Sequence, residues 1–109
     1  MIPQFSKFPL RTDFVRFRTV AKKILTPHTI VYYLKSGIST RLSVVVPKKL
    51  SPKAVTRNWL KRLTYDTLWP LIQDKNFDCV IVYKPLPLSK TPATQKELIN
   101  ELTQAISNL

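Results

Sequence analysis

The stretch KKLSPKAVTRNWLKR, residues 48–62, decides the fold expected of this 109-residue chain. Ser51 is a preferred N-cap residue, and Pro52 suits the first helical position, where its missing N–H costs nothing. We therefore predict a helix that begins near Ser51 and runs to about Trp69, where Pro70 ends or kinks it.

The predicted helix has two different faces at about 100° per residue. Its apolar arc is expected to pack on a sheet and contains Val55, Trp59, Leu60, Leu63, Thr67 and Leu71. Its opposite arc carries Arg57, Asn58, Lys61, Arg62 and Tyr65. Lys48 and Lys49 lie just upstream, where a strand leads into the helix.

The basic face of this helix has no acidic partners in the sequence. No carboxylate side chain occurs between Asp13 and Asp66. A solvated helix face is the ordinary explanation of charged residues, but such faces mix signs to form i,i+4 pairs. Because uncompensated cations repel one another, an anionic partner explains this face better.

Charge is distributed unevenly along the chain, whose formal net charge is +12. Residues 1–62 contain 14 of the 18 Lys and Arg residues and a single acid, whereas residues 63–109 are nearly neutral. Nucleic acid is the leading partner for this pattern. An acidic membrane surface is the weaker alternative, because no terminal segment combines a polybasic face with a large apolar one.

Cysteine content and hydropathy restrict the class of protein further. The lone Cys79 excludes an internal disulfide and a cysteine-based metal cluster, and its apolar neighbours predict a buried structural thiol. The sequence has no apolar run of 18 residues, and its start lacks the apolar core of a signal peptide. We therefore expect a cytoplasmic protein without a membrane span.

The remaining patterns predict a helix, three strands, the basic helix, a strand and a final helix. The first helix starts near Thr12, and residues 24–28 form a short edge strand. Residues 29–35 and 40–46 form a hairpin around Ser36-Gly37. Residues 77–83 are apolar almost throughout, as in a central strand. Thr91 caps the last helix, which buries Leu98, Leu102, Ile106 and Leu109.

This order predicts an α+β two-layer sandwich formed by a single domain, residues 1–109. Catalytic chemistry is not evident, because the six acids form no pair at a recognisable motif spacing. The single histidine, His28, follows a proline at a strand boundary, where a solvated or turn histidine is typical. We therefore predict no catalytic residue and no metal site in the polypeptide.

Three short motifs resemble the protein component of bacterial ribonuclease P. They are KK at 48–49, KAVTRN at 53–58 and KRL at 61–63. RTDF at 11–14, the tyrosine-bearing strand around Tyr33 and DCVIV at 78–82 support the resemblance, which covers residues 11–108. It implies an α-β-β-β-α-β-α sandwich with a left-handed crossover, like domain 2 of ribosomal protein S5.

The resemblance also implies a function. The chain would bind a catalytic RNA that removes the 5′ leader of precursor tRNA, as a monomer in a 1:1 complex, while Mg²⁺ held by the RNA supports hydrolysis. No cofactor would belong to the protein itself. The residues expected to bind the catalytic RNA are Lys48, Lys49, Lys53, Arg57, Asn58, Lys61 and Arg62. The residues expected to line a leader-binding cleft are Arg11, Phe14, Phe17, Arg18, Tyr33, Arg41 and Ser43.

Alternatives remain for both function and residues. A small ribosomal or RNA-chaperone protein could use the same basic face, and a free-standing nuclease would require acids that converge only in space. Phe14 and Phe17 could equally be ordinary core residues of the first helix.

Overall fold

The computed structural model describes residues 17–35, 40–51, 53–85, 88 and 90–107. Helical residues 17–20 are called α1. They are followed by β1 (Lys22–Leu25), β2 (Thr29–Lys35), β3 (Arg41–Val45), α2 (Ala54–Ile72), β4 (Phe77–Tyr83) and α3 (Pro92–Ile106). The predicted α+β class and α-β-β-β-α-β-α order are confirmed. The helix start at Thr12, the turn at Ser36-Gly37, Pro52 and Leu109 lie outside the described residues.

The four strands form one sheet in the order β1-β2-β4-β3. β4 is central, as predicted, and pairs antiparallel with β2 and parallel with β3. The predicted hairpin of β2 with β3 is wrong, because the strand with the most continuous apolar sequence lies between them. α2 connects the parallel strands β3 and β4, which need such a crossover. Its left-handed sense stays a prediction.

β1 lies two residues earlier than predicted, because the chain turns over residues 26–29. Thr26 N donates to Thr29 O at 3.0 Å, and Thr29 N donates to Thr26 Oγ1 at 2.9 Å. Pro27 has no N–H to offer a sheet, so it fits this turn and not a strand. β1 and β2 therefore form the antiparallel hairpin of the sheet.

The main core lies between one face of the sheet and helices α2 and α3. Alternate residues of each strand point into it, as strand geometry requires. Its fully buried members include Val31, Leu42, Leu60, Leu68, Ile72, Cys79, Ile81, Leu98, Leu102 and Ile106. Burial raises the pKa of the Cys79 thiol to about 12, so the thiol is neutral. The predicted structural cysteine is thus confirmed.

The buried face of α2 is rotated by roughly 100° from the predicted arc. The buried residues are Thr56, Leu60, Thr64, Leu68 and Ile72, at strict i,i+4 spacing. Val55 is 67% exposed and Leu71 is 42% exposed, so both assignments to the core were wrong. The prediction assigned Thr56 and Thr64 to neither arc, whereas a threonine hydroxyl can be satisfied inside a helix, as that of Thr64 is by Leu60 O.

Both ends of α2 differ from the prediction. The N-cap is Lys53, which makes no side-chain capping bond, and Ser51 Oγ instead accepts a 3.3 Å hydrogen bond from Lys53 N. At the other end the helix continues through Pro70. Proline in the last turn removes one backbone bond. The helix nevertheless extends because Ile72 is buried in the core. Ile72 O also accepts a 2.8 Å hydrogen bond from Thr40 Oγ1.

α3 follows the prediction closely in the described part of the chain. Thr91 Oγ1 accepts a 3.2 Å hydrogen bond from Thr94 N, and Pro92 occupies the first turn. Leu98, Leu102 and Ile106 are buried against the sheet side of the core. None of the helices described is long and apolar enough to cross a membrane.

A buried hydroxyl pair links α2 to β4 and allows a test of this packing. Thr64 Oγ1 donates to Leu60 O at 2.8 Å and lies 2.7 Å from Tyr83 Oη, so the tyrosine donates to the threonine. We expect Thr64→Val to lower the free energy of unfolding by about 1–3 kcal/mol, because it strands a buried phenol donor. Tyr83→Phe should cost about 1 kcal/mol, since it leaves no donor unpaired.

Urea denaturation of both variants and of the double variant measures these losses. A cost of Tyr83→Phe equal to or larger than that of Thr64→Val would contradict the assigned direction of the hydrogen bond.

Candidate nucleic-acid interface

The seven residues expected to bind a catalytic RNA belong to one continuous piece of chain, from the turn after β3 to the third turn of α2. We call them the basic surface. Its members are Lys48, Lys49, Lys53, Arg57, Asn58, Lys61 and Arg62. All are exposed except Arg57, which is half-buried.

The turn before α2 holds its two lysines outward by burying the residue that follows them. Leu50 is buried in the main core, and its backbone N donates to Pro47 O at 3.1 Å. Lys48 and Lys49 precede it within the same turn and are both exposed. The strand-to-helix turn is therefore anchored by an apolar side chain while its charges remain in solvent.

Along α2, the polar members of the basic surface form two neighbouring rows. Lys53, Arg57 and Lys61 recur every four residues beside the buried stripe, and Asn58 and Arg62 form the adjacent row. Arg57 Nη1 donates to Ser51 O at 2.8 Å. Arg57 thus supports the start of the helix in addition to contributing charge.

Charges on the basic surface are not compensated within the described part of the chain. The two ion pairs found there are His28–Glu101 and Arg41–Asp78, and neither includes a member of this surface. The first turn of α2 carries no acid either. The cations along α2 and its N-cap, together with the two lysines of the preceding turn, would repel one another without an anionic partner.

The sheet has a second face, on the side away from the main core, and α1 packs against it. We call it the α1 face. Phe17 and Val80 are buried there, with Tyr32, Val45 and Val82 packed against them. Residues paired across neighbouring strands share a face, so strand register places Lys23, Arg41 and Ser43 on this face as well. Lys23 pairs with Tyr32, Arg41 with Asp78, and Ser43 with Val80. Phe17, Arg41 and Ser43, all expected in a leader cleft, therefore share one face.

Tyr33 does not belong to the α1 face. It packs against the main core, and its ring meets that of Phe77 edge to face, with centroids 6.1 Å apart and an interplanar angle of 74°. Tyr32 is the tyrosine that lies with Phe17 and Val80. The sequence showed that the adjacent tyrosines must point to opposite faces, but it contained no signal for which face each one takes.

Arg41 is held in place by a two-point ion pair across the parallel strands β3 and β4. Its Nε donates to Asp78 Oδ1 at 2.9 Å and its Nη2 donates to Asp78 Oδ2 at 3.0 Å. Such forked pairs fix the guanidinium plane. Arg41 is therefore a positioned group on the α1 face, with its charge partly neutralised.

Tyr65 was expected on the polar side of α2, but it is half-buried at the edge of the sheet. Its hydroxyl hydrogen-bonds to the backbone of Val44 and to the side chain of Ser43, while burial raises its pKa above the usual value. Ser43 is itself buried. This pair therefore links α2 to β3.

The other residues expected in the leader cleft divide into three cases. Phe17 is only 5% exposed, which matches the core-packing alternative for this residue. Arg18 is exposed on α1. Arg11 and Phe14 lie outside the described residues.

Comparison with known proteins gives a consistent assignment. A sequence model of the family described as Ribonuclease P matches residues 2–109. No curated protein matches the sequence.

Solved structures similar to this chain come from two bacteria. The ribonuclease P protein of Thermotoga maritima is 23% identical, covers 94% of this chain and 96% of its own, and superposes with a TM-score of 0.74. That of Staphylococcus aureus is 21% identical, with 94% of each chain covered and a TM-score of 0.76. A mutant of the Staphylococcus aureus ribonuclease P protein, described as having defective mRNA degradation activity, is 19% identical. The match covers 96% of this chain and 88% of the mutant chain, with a TM-score of 0.76. At these identities the matches establish a shared fold.

Proposed function

Because the chain belongs to the ribonuclease P protein family, whose sequence model matches residues 2–109, we propose that it binds the catalytic RNA of ribonuclease P and the 5′ leader of precursor tRNA. Family membership implies a role in ribonuclease P. The observation that supports direct RNA binding is the basic surface, whose cations have no acidic partner in the described part of the chain.

The basic surface binds the catalytic RNA in this proposal. Its exposed lysines and Arg62 are long, flexible cations suited to phosphates, and the exposed amide of Asn58 can hydrogen-bond to a base or a sugar. Trp59 is half-buried and packs against the core, so it helps to anchor the helix that carries this surface. The affinity is therefore expected to be largely electrostatic.

The α1 face binds the leader. Tyr32 is half-buried beside Phe17 and Val80, so it offers a ring edge or face next to an apolar floor. Lys23 is exposed directly across the β1–β2 pair, where it can meet a phosphate of a stacked nucleotide. Arg41, fixed by Asp78, supplies an oriented guanidinium on the same face. An aromatic ring with flanking cations is the usual platform for single strands.

We assign hydrolysis to Mg²⁺ held by the RNA, and we assign binding and positioning to the protein. The basic surface and the α1 face contain cations, amide and aromatic groups, which suit phosphates and bases. In this proposal the protein acts in the cytoplasm as a monomer, with one copy per catalytic RNA.

Reconstitution tests the proposed function. The full-length protein is mixed with a bacterial ribonuclease P RNA at low Mg²⁺, and cleavage of precursor tRNA is followed by gel. We expect the protein to raise kcat/KM for the RNA, and we expect no cleavage by the protein alone. No effect on the RNA, together with capture of ribosomal RNA instead, would favour the ribosomal or RNA-chaperone alternative. Cleavage by the protein alone would contradict the assignment of hydrolysis to the RNA.

Salt dependence tests the basic surface separately. Replacing Arg57 and Lys61 with Ala should weaken binding to the catalytic RNA. A plot of log affinity against log salt has a negative slope, and its magnitude should decrease by about 0.9 for each phosphate that the variant no longer neutralises. The matched control replaces Lys90 and Lys96, two exposed lysines at α3, and removes the same charge. Equal slopes in both variants would show that net charge, and not this surface, governs binding.

The adjacent tyrosines test the leader site. Tyr32→Ala should weaken binding of precursor tRNA by about 1–3 kcal/mol if a leader base stacks there, with little change for mature tRNA. Tyr33→Leu should lower the free energy of unfolding without distinguishing the two tRNAs, because Tyr33 packs in the core. Fluorescence titration of the complex with precursor and mature tRNA measures the difference in affinity. Selective loss of precursor tRNA binding in Tyr33→Leu, and not in Tyr32→Ala, would show that Tyr33 contacts the leader instead.

A further inference from the structure

A second group of polar side chains gathers where the turn before β2 meets α3, away from both surfaces described above. His28 Nδ1 lies 2.7 Å from Glu101 Oε1. Glu97 lies one helical turn before Glu101, and one donor atom from each of the three residues falls within 4.8 Å of the others. No sequence motif reveals this group, because His28 and Glu101 are 73 residues apart.

The carboxylate of Glu101 is unusual in its surroundings. Its side chain is only 12% exposed, and its second oxygen, Oε2, is buried without a hydrogen-bond partner among the described residues. It is the one such atom found there. Leaving a carboxylate oxygen buried and unpaired is costly, and an ion or an ordered water beside this atom would satisfy it.

We propose that His28, Glu97 and Glu101 form a binding site for a divalent ion of the zinc type. Zinc accepts a donor set of one imidazole and two carboxylates. The two carboxylates, Glu97 and Glu101, are at i,i+4 on α3. Tetrahedral coordination at about 2.1 Å separates donor atoms by about 3.4 Å. The observed separations, from 2.7 Å up to 4.8 Å, bracket this value, so small side-chain rotations suffice.

The surroundings leave room for the remaining coordination positions. Glu97 is exposed, while a shallow cavity of about 210 Å³ adjoins Glu101 alone among the three and is also lined by Thr26, Pro27 and Gln104. Because Glu97 is exposed, water from the surface can complete the coordination sphere. Lys84 Nζ donates to Thr26 O at 2.8 Å, and the backbone N of Lys84 donates to His28 O at 2.9 Å. The second bond fixes the backbone of the histidine.

On binding, the ion replaces the hydrogen bond between His28 and Glu101, and Nδ1 becomes a ligand while its proton moves to Nε2 or to solvent. The ion then joins the β1–β2 turn to α3 by coordinate bonds. α3 contributes no residue to the basic surface, so this site is independent of the proposed RNA-binding role. Its effect is to stabilise the fold by mass action.

Zinc titration of the full chain tests the site. We expect one Zn²⁺ per chain by calorimetry and, at zinc 100-fold above Kd, a rise in Tm of about 10 °C. Co²⁺ should give visible d–d absorption. Glu97→Gln is the sharpest variant, because Glu97 is exposed and its loss should leave the metal-free Tm unchanged. It should weaken zinc binding at least tenfold, as should His28→Gln.

The matched control is Asp74→Asn, which removes one exposed carboxylate in the loop after α2 and should bind zinc as the unaltered chain does. Absence of binding at millimolar zinc would overturn the proposal. So would equal affinity in Glu97→Gln and Asp74→Asn, because the bound ion would then lie elsewhere.

Discussion

Packing of one stripe of α2 on the sheet is the constraint on which the rest of the structure depends. Leu60, Leu68 and Ile72 are fully buried against strands and α3. Once that stripe is buried, the rows that carry Lys61 and Arg62 must face solvent. The position of the positive charge is therefore a consequence of apolar burial, and the energy that holds it comes from the hydrophobic core.

The central strand β4 contributes side chains to both faces of the sheet, and different helices lie against the two faces. Cys79, Ile81 and Tyr83 point into the main core, while Val80 and Val82 line the α1 face. Among the described residues, α2 and α3 cover one side of the sheet, and α1 lies on the other. Tyr32 is half-buried on the α1 side, while the main core on the opposite side holds the fold together.

The sequence predicted the element order, the central position of β4 and the capping of α3, because these depend on local signals such as apolar runs and a Thr-Pro start. It failed where a partner distant in the chain decides. The orientation of α2 depends on burial of a stripe that includes Thr64, which meets Tyr83, and the side taken by Tyr32 depends on strand register. Among the residues proposed to bind RNA, the exposed members of the basic surface were predicted from their sequence positions. The choice of Tyr32 over Tyr33 required the strand pairing in three dimensions.

Tyr65 has a consequence for self-association. β3 is an edge strand of the sheet, and edge strands offer unpaired backbone groups to other chains. The hydroxyl of Tyr65 hydrogen-bonds to the backbone of Val44 in that strand. At the other edge, β1 exposes two consecutive lysines. A phenol therefore competes for a backbone group at one edge, and like charges repel an incoming strand at the other. Both features disfavour pairing of sheet edges between copies of the chain.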